Sequence, residues 1–270
     1  MEAGIMLYVG CEVDVYEQIR VLKEIGVRHT FINAKHPELD RVLEAVKEAG
    51  ITCDNLHSEY RFTRGDEVFV VQDMCRPGEK GDIMAERIMD NIDKCAENNI
   101  PLIVVHPPYD DPEISVNEYT RQRYIAIGDH ARKMGVTVAF ENLAYTKNLE
   151  YVMSLVPDSR FCWDCGHEYS RLKDEKPMPK HGEKLAALHI HDNCIVKDDH
   201  QIPYTAKVDF EDVGRRLAQS GYDGTLMLEI LYGKGEGNST EPTYRDFALK
   251  AKRAAERLIE TVNKYKNSIE

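Results

Sequence analysis

The feature that most constrains this chain is an alternation of short apolar runs with longer amphipathic runs, repeated eight times over 270 residues. The short runs are rich in Val, Ile, Leu or Phe, which is typical of strands buried on both faces of a parallel sheet. They are Ile5–Glu12, Val27–Ile32, Ile51–His57, Pro101–His106, Val136–Glu141, Arg160–Asp164, Leu185–His191 and Thr225–Ile230. Strands that alternate with helices form βαβ units, and a closed barrel of eight such units typically takes roughly 250 residues. The sequence therefore predicts a single (β/α)8 TIM barrel domain over residues 1–270.

Several boundaries of the amphipathic runs are marked by Pro and Gly. Pro37–Glu48 opens with Pro and closes before Gly50, whereas Asn148–Val156 stops before a proline. The other helical runs are Asp82–Asn98, Val116–Met134, Phe210–Gln219 and Tyr244–Tyr265. Long connections follow three strand-like runs, and they are Ser58–Lys80, Glu168–His181 and Asp192–Lys207. They belong to the C-terminal face, where barrel active sites are built, so we expect them to contribute to function.

Composition argues against two kinds of partner. The formal net charge of -12 disfavours nucleic acid, because phosphate binding usually needs a basic face. No apolar run approaches the ~20 residues that span a bilayer, and the first ten residues do not resemble a secretory signal. The seven cysteines are an odd number and several lie in apolar runs, so we interpret them as reduced thiols. We therefore expect a cytoplasmic protein without a membrane partner.

Ionisable side chains end the third to the eighth strand-like runs. In chain order they are His57, His106, Glu141, Asp164 with His167, His189 with His191, and Glu229. In a barrel these strand ends meet around one axis. Crowded carboxylates repel one another and are costly to bury unpaired, and a divalent cation removes that conflict. Mixed oxygen and imidazole ligands suit Mn, Zn, Co or Mg, so we predict a divalent metal ion at this face.

Periodicity does not decide which histidine of the seventh run binds the metal. His189 and His191 are two residues apart, so they share one side of the strand. Either imidazole is therefore a candidate ligand at this point.

Four short motifs, taken in strand order, resemble one superfamily along essentially the whole chain. They are Glu-Asn-Leu from Glu141, Asp-Cys-Gly-His from Asp164, His-Ile-His-Asp-Asn from His189 and Leu-Glu-Ile from Leu228. This ordered set is similar to the sugar isomerase/epimerase superfamily of xylose-isomerase-like TIM barrels, a group of sugar phosphate isomerases and epimerases that also includes endonuclease IV. The resemblance implies that a small sugar or sugar phosphate is the partner of this chain.

The resemblance also implies roles for individual residues. Glu141, Asp164, His189 and Glu229 would hold one divalent ion, and the pattern His-x-x-Asp, met by His189 and Asp192, selects His189 over its neighbour. Glu141 and Glu229 would be the catalytic pair, moving a proton on a carbon next to a carbonyl through a metal-stabilised enediolate. The implied substrate-binding residues are His57, His106, His167, His191 and His200.

Two alternatives stay open. Endonuclease IV uses further ligands for three zinc ions, and a multinuclear zinc site acting on abasic DNA is possible here because this chain has candidates for them. Those possible additional metal ligands are His57, His106, His167, Asp198 and His200. Their surroundings depart from the nuclease pattern, since His106 is followed by Pro-Pro-Tyr. The other alternative is a non-catalytic sugar-binding barrel.

The sequence says less about phosphate binding and about the oligomeric state. Lys207 follows the seventh run, and the glycine-rich stretch Gly233–Gly237 follows the eighth, where barrels often bind phosphate. Its spacing is not that of a P-loop, so a plain connection is the other interpretation. Members of the resembling superfamily are commonly dimers or tetramers, which makes a homo-oligomer an expectation.

Overall fold

The computed structural model describes residues 1–8, 10–172, 175–233 and 241–268. Within these ranges it contains ten strands, eight of which form one parallel sheet in the order β10-β1-β2-β3-β6-β7-β8-β9. The strands are β1 Ala3–Ile5, β2 His29–Asn33, β3 Thr52–His57, β4 Arg61–Arg64, β5 Glu67–Val70, β6 Leu102–Val105, β7 Thr137–Glu141, β8 Arg160–Asp164, β9 Leu185–His189 and β10 Leu226–Leu228. Past the end of β9, Ile190 forms a parallel bridge with Leu228, which brings the two ends of the sheet together. The predicted (β/α)8 barrel is confirmed.

The helices follow the strands as the alternation predicts. They are α1 Val15–Glu24, α2 Leu39–Glu48, α3 Glu79–Glu97, α4 Pro112–Ser115, α5 Glu118–Met134, α6 Thr146–Leu155, α7 Cys165–Ser170, α8 Pro177–His181, α9 Phe210–Ser220 and α10 Tyr244–Lys266, with 3-10 helices at Val71–Cys75 and Gly182–Lys184. The helix predicted from Val116 begins at Glu118, because the Asn117 side chain accepts a hydrogen bond from Thr120 N and caps α5 there. In the described part of the chain, none of the helices has the length and apolarity needed to span a membrane.

The first strand is shorter than the sequence predicts. The run Ile5–Glu12 gives only Ala3–Ile5 and a bridge at Leu7. Tyr8 and Val13 bond to a side chain instead of to a neighbouring strand, since the Gln18 amide donates to Tyr8 O and Val13 O. Glu12 is therefore on an exposed loop rather than at a strand end.

The described parts of the three long connections contain secondary structure or specific hydrogen bonds. Ser58–Lys80 contains the antiparallel hairpin β4–β5 and a 3-10 helix, and the Arg123 guanidinium of α5 donates to the carbonyls of Met74 and Gly78 at 2.9 Å each. Glu168–His181 begins inside α7. Asp192–Lys207 is closed at its base by one buried carboxylate: Asp192 accepts hydrogen bonds from the backbone N–H groups of residues 193, 205, 206 and 208.

A layer of small and medium side chains fills the barrel below the strand ends. Its members are Leu102, Val104, Ala139, Cys162 and Ala187, all buried. Strand side chains alternate between the inside and the outside of the barrel. On each strand, the residue two positions after the last member of this layer therefore also points inward. Those next residues are His106, Glu141, Asp164 and His189. The barrel core therefore directs the ionisable side chains of four neighbouring strands to one place.

Candidate metal centre

Four predicted ligands converge on one point above the interior layer. One ligand atom from each of Glu141, Asp164, His189 and Glu229 lies within 4.8 Å of the other three. His189 Nδ1 is 3.4 Å from Glu141 Oε1 and 3.1 Å from Glu229 Oε2. These distances leave room for one cation between the ligands.

Buried atoms in this group lack the hydrogen bonds that burial normally demands. Neither ring nitrogen of His189 has a hydrogen-bond partner among the described residues, and Asp164 Oδ2 has none either. Both side chains are fully buried. Such atoms cost roughly 1–3 kcal/mol each when left unsatisfied, and a divalent cation bound by these oxygen and nitrogen donors would satisfy them. The donor set thus fits the predicted metal ion.

Two further histidines surround the same glutamate. His57 Nε2 and His106 Nε2 lie 3.3 and 3.1 Å from Glu141 Oε2, which makes these three residues another group with ligand spacing. His57 donates its other ring nitrogen to Ser58 O, so its Nε2 is the atom available to the cavity. The Tyr60 ring stacks on His106 with centroids 4.7 Å apart.

A second cluster lies on the other side of Asp164. His167 Nε2 and Arg171 bond Asp198 Oδ2 at 3.0 and 2.7 Å, and His200 Nε2 lies 3.4 Å from the same oxygen. His200 has a φ of 48°, a left-handed conformation that is costly for a residue with a side chain. It is held there by hydrogen bonds to the backbone of the Glu229 and Leu231 segment.

His191 lies below this cluster and does not line the described cavity. Its buried ring points Nε2 at Asp164 Oδ1 and Asp198 Oδ1, at 3.2 and 3.4 Å. With Asp198 and His200 it forms a group with ligand spacing. Substrate binding by His191 stays a prediction. The two carboxylates around His191 are what would surround a metal ligand, or a side chain that holds a metal ligand in place.

The surrounding charges keep the carboxylates ionised. Burial alone raises the pKa of Glu141, but the charge of His189 and a hydrogen bond from His106 reverse this and hold its pKa well below the ordinary value. Burial is likewise outweighed at Glu229, where His189 and His200 lower the pKa. Burial lowers the pKa of His106 despite the neighbouring Glu141, so its ring is neutral at pH 7 and suited to bind a cation or a hydroxyl group.

The strand ends open into a cavity of about 420 Å³. Glu141 and Glu229 reach it from the predicted metal set, and the other polar lining residues include His57, His106, His167, Asp198 and His200. Apolar and aromatic side chains line it as well, among them Met6, Leu7, Tyr8, Phe31 and Leu231. The volume is within the ~300–1,000 Å³ usual for small-molecule pockets.

Several contributors were not singled out as site residues from the sequence. Lys35, Tyr60 and Arg171 line the cavity, and Asn142 holds the backbone of Asp164. Among these only the place of Asn142 inside the Glu-Asn-Leu motif was a usable signal, because the others lie on loops or a short helix. Lys207 is exposed and is not among the residues lining the cavity. Of the glycine-rich stretch 233–237, only Gly233 is within the described residues.

The comparisons with known proteins agree on the fold. Structures similar to this chain include L-ribulose 3-epimerase (TM-score 0.75, 12% identity, covering 100% of this chain and 98% of that one). A D-tagatose 3-epimerase-like protein matches with TM-score 0.73 and 20% identity over 98% and 99% of the two chains. D-psicose 3-epimerase of Clostridium cellulolyticum H10, solved with D-tagatose, matches with TM-score 0.70 and 16% identity over 98% and 99%. At these identities the likeness establishes the fold.

Sequence comparison identifies the family. The uncharacterised protein y4fM of Sinorhizobium fredii is 29% identical over 161 residues, which is 53% of this chain and 51% of that protein. The chain thus matches about half the length of this curated relative. A family model described as xylose isomerase-like TIM barrel matches residues 14–260. The chain belongs to the xylose isomerase-like TIM barrel family.

Proposed function

We propose that this protein is a divalent-metal-dependent sugar isomerase or epimerase that acts on a small sugar or sugar phosphate. The observation that carries the proposal is the convergence of Glu141, Asp164, His189 and Glu229 below a cavity of small-molecule size. The solved structures to which the chain is similar include sugar 3-epimerases, which supports the same chemistry.

The metal would be Mn, Zn, Co or Mg, held by these four residues. When bound, such an ion stabilises negative charge that develops on a carbonyl oxygen. Glu141 and Glu229 are the proposed catalytic pair, since both reach the cavity and both are ionised at neutral pH. One carboxylate removes a proton from the carbon beside the carbonyl, and the other returns it.

Substrate positioning falls to the histidines that line the cavity. His57, His106, His167 and His200 present ring nitrogens that can bond sugar hydroxyl groups. The aromatic residues that also line the cavity supply an apolar surface for the sugar, which keeps water from the reacting carbon.

The test combines metal content with solvent exchange. Wild-type protein is expected to hold about one divalent ion per chain and to place deuterium from D2O on the carbon next to the carbonyl of D-tagatose or another ketose. The Glu141→Gln, Glu229→Gln double variant should lose both properties, while Glu86→Gln, on the exposed face of α3, should keep them. Absence of a bound ion after reconstitution would overturn the proposal. Ketose binding without exchange would favour a non-catalytic sugar-binding barrel.

A zinc phosphodiesterase resembling endonuclease IV is the second candidate. It is favoured by the two further groups with ligand spacing, His57–His106–Glu141 and His191–Asp198–His200. Three zinc ions per chain and chelator-sensitive cleavage of an oligonucleotide with an abasic site would establish this activity. One ion per chain and an intact oligonucleotide would exclude it.

A further inference from the structure

Among the described residues, two permanently cationic side chains line the cavity, Lys35 and Arg171, and only one of them has a charged partner. Arg171 donates to Asp198 at 2.7 Å, so its charge is matched within the protein. Lys35 lines the same cavity, yet its ammonium makes no hydrogen bond or ion pair with any of the described residues. Within the described ranges, the exposed Lys35 is therefore the lining cation that remains open to a bound molecule.

The position of Lys35 is set by the strand below it. Asn33 ends β2 opposite His57, and its side chain accepts a hydrogen bond from Lys35 N at 3.0 Å. Between them, Ala34 N donates to His57 O at 2.8 Å. The turn that carries Lys35 is thus fixed to the strand whose last residue, His57, contacts Glu141.

The carboxylate nearest to Lys35 along the chain is engaged elsewhere. Glu38, three residues on, pairs with Arg41 at 2.8 Å. An unmatched ammonium at the edge of a cavity favours an anionic group, because oxygen atoms of a carboxylate or phosphate accept charge-assisted hydrogen bonds from it.

We propose that the substrate is an anionic sugar derivative, a sugar acid or a sugar phosphate, whose charged end is bound by Lys35 while its carbonyl end faces Glu141 and Glu229. This inference rests on the proposed isomerase or epimerase function and narrows its substrate class. Lys35 is a specificity-determining residue in this arrangement and takes no part in proton transfer.

Three ketohexoses that differ at carbon 6 test the inference by calorimetric binding. D-fructose is neutral, D-fructuronate carries a carboxylate and D-fructose 6-phosphate carries a phosphate. Wild-type protein, both metal-free and loaded with Mn²⁺, should bind at least one of the anions about two- to fivefold more tightly than D-fructose, which lies within the range for an exposed ion pair. Whichever anion gains affinity identifies the charged group.

Matched variants assign the effect to Lys35. Lys35→Gln should remove the preference for the anion and leave D-fructose binding unchanged, whereas Lys35→Arg should retain it. Lys47→Gln, an exposed lysine at the C-terminal end of α2, is the control for loss of one charge and should behave as wild type. Equal binding of all three sugars by wild type, or a preference that persists in Lys35→Gln, would overturn the inference.

The same titrations separate this inference from the function on which it rests. Binding is measured without turnover, and deuterium exchange is measured separately. A Lys35-dependent preference without exchange contradicts the proposed catalysis and supports the binding role of Lys35. Exchange on D-fructose without any preference for its anionic analogues supports the proposed catalysis and contradicts the binding role of Lys35.

Discussion

The side-chain amide of Asn142 makes two hydrogen bonds to the backbone of Asp164: its Oδ1 accepts from Asp164 N at 2.9 Å, and its Nδ2 donates to Asp164 O at 2.8 Å. Both residues are fully buried. This pair joins the end of β7 to the end of β8 and fixes the direction in which the Asp164 carboxylate leaves the strand.

Asn142→Leu should lower both stability and metal affinity. A leucine of similar size leaves two buried backbone groups unpaired, and the expected loss is about 2 kcal/mol or more in the free energy of unfolding. Urea unfolding and Mn²⁺ titration measure the two effects. Asn263→Leu, on the exposed face of α10, is the control. Unchanged Mn²⁺ affinity in a folded Asn142→Leu protein would contradict this role.

Gly166→Ala should displace His191. A methyl group on residue 166 would overlap the His191 ring, which packs directly against the glycine backbone. Overpacking of this kind costs about 1–3 kcal/mol, and Gly182→Ala, at an ordinary negative φ with only a mild contact, should cost less. Thermal unfolding of both variants checks the difference. An equal or smaller drop in Tm for Gly166→Ala would show that His191 is free to move.

Arg216→Met should destabilise the support of α7, the helix that carries His167. Arg216 pairs with buried Glu168 at 2.5 Å, and its guanidinium stacks 4.7 Å over the Trp163 ring. Glu168 also accepts a hydrogen bond from Trp163 Nε1. Removing the guanidinium leaves the exposed Lys176, at 3.4 Å, as the remaining cationic partner of Glu168 among the described residues, so we expect a loss of about 3 kcal/mol. The fluorescence of Trp163, the one tryptophan of the chain, should change as well.

A double-mutant cycle with Glu168→Gln tests whether this loss arises from the ion pair. The combined variant should lose clearly less stability than the sum of the two single variants, because neither then leaves an unpaired buried charge. Additive losses would mean that the two side chains act independently.

The metal-free protein should lose stability as the pH rises from about 6.5 to about 9. Burial lowers the pKa of His200, but Asp198 and Glu229 outweigh it and raise the pKa to about 9. The folded protein therefore holds this proton more tightly than the unfolded chain, whose histidine pKa is about 6.5. The stabilisation is complete below pH 6.5 and is lost as the pH passes the folded pKa.

Thermal unfolding at pH 6, 7.5 and 8.5 measures this dependence, and a decrease of a few degrees in Tm is expected for a chain of this size. His200→Gln should reduce the slope of the curve over the same range, while His167 and His189, whose pKa values are also raised, keep part of it. A wild-type curve that is already flat would contradict the assigned pKa.

The barrel was predictable because its signal is local. The eight apolar runs indicate strands buried on two faces, and the amphipathic runs between them indicate helices. Each signal lies within its own segment and does not depend on the others. The first run was predicted too long for the same reason: nothing in Ile5–Glu12 reveals that Gln18, on the next helix, would bond the backbone of Tyr8 and Val13.

The sequence by itself determined which strands carry ionisable ends, and the order of Glu141, Asp164, His189 and Glu229 follows from it. Tertiary structure alone placed His189 beside Glu141 and Glu229, and His191, two residues past the end of β9, beside Asp164 and Asp198. It also brought Lys35 to the cavity and the Asn142 amide to the Asp164 backbone. The reason is physical: periodicity states which way a side chain points, whereas distances between side chains of different strands depend on the register and closure of the barrel.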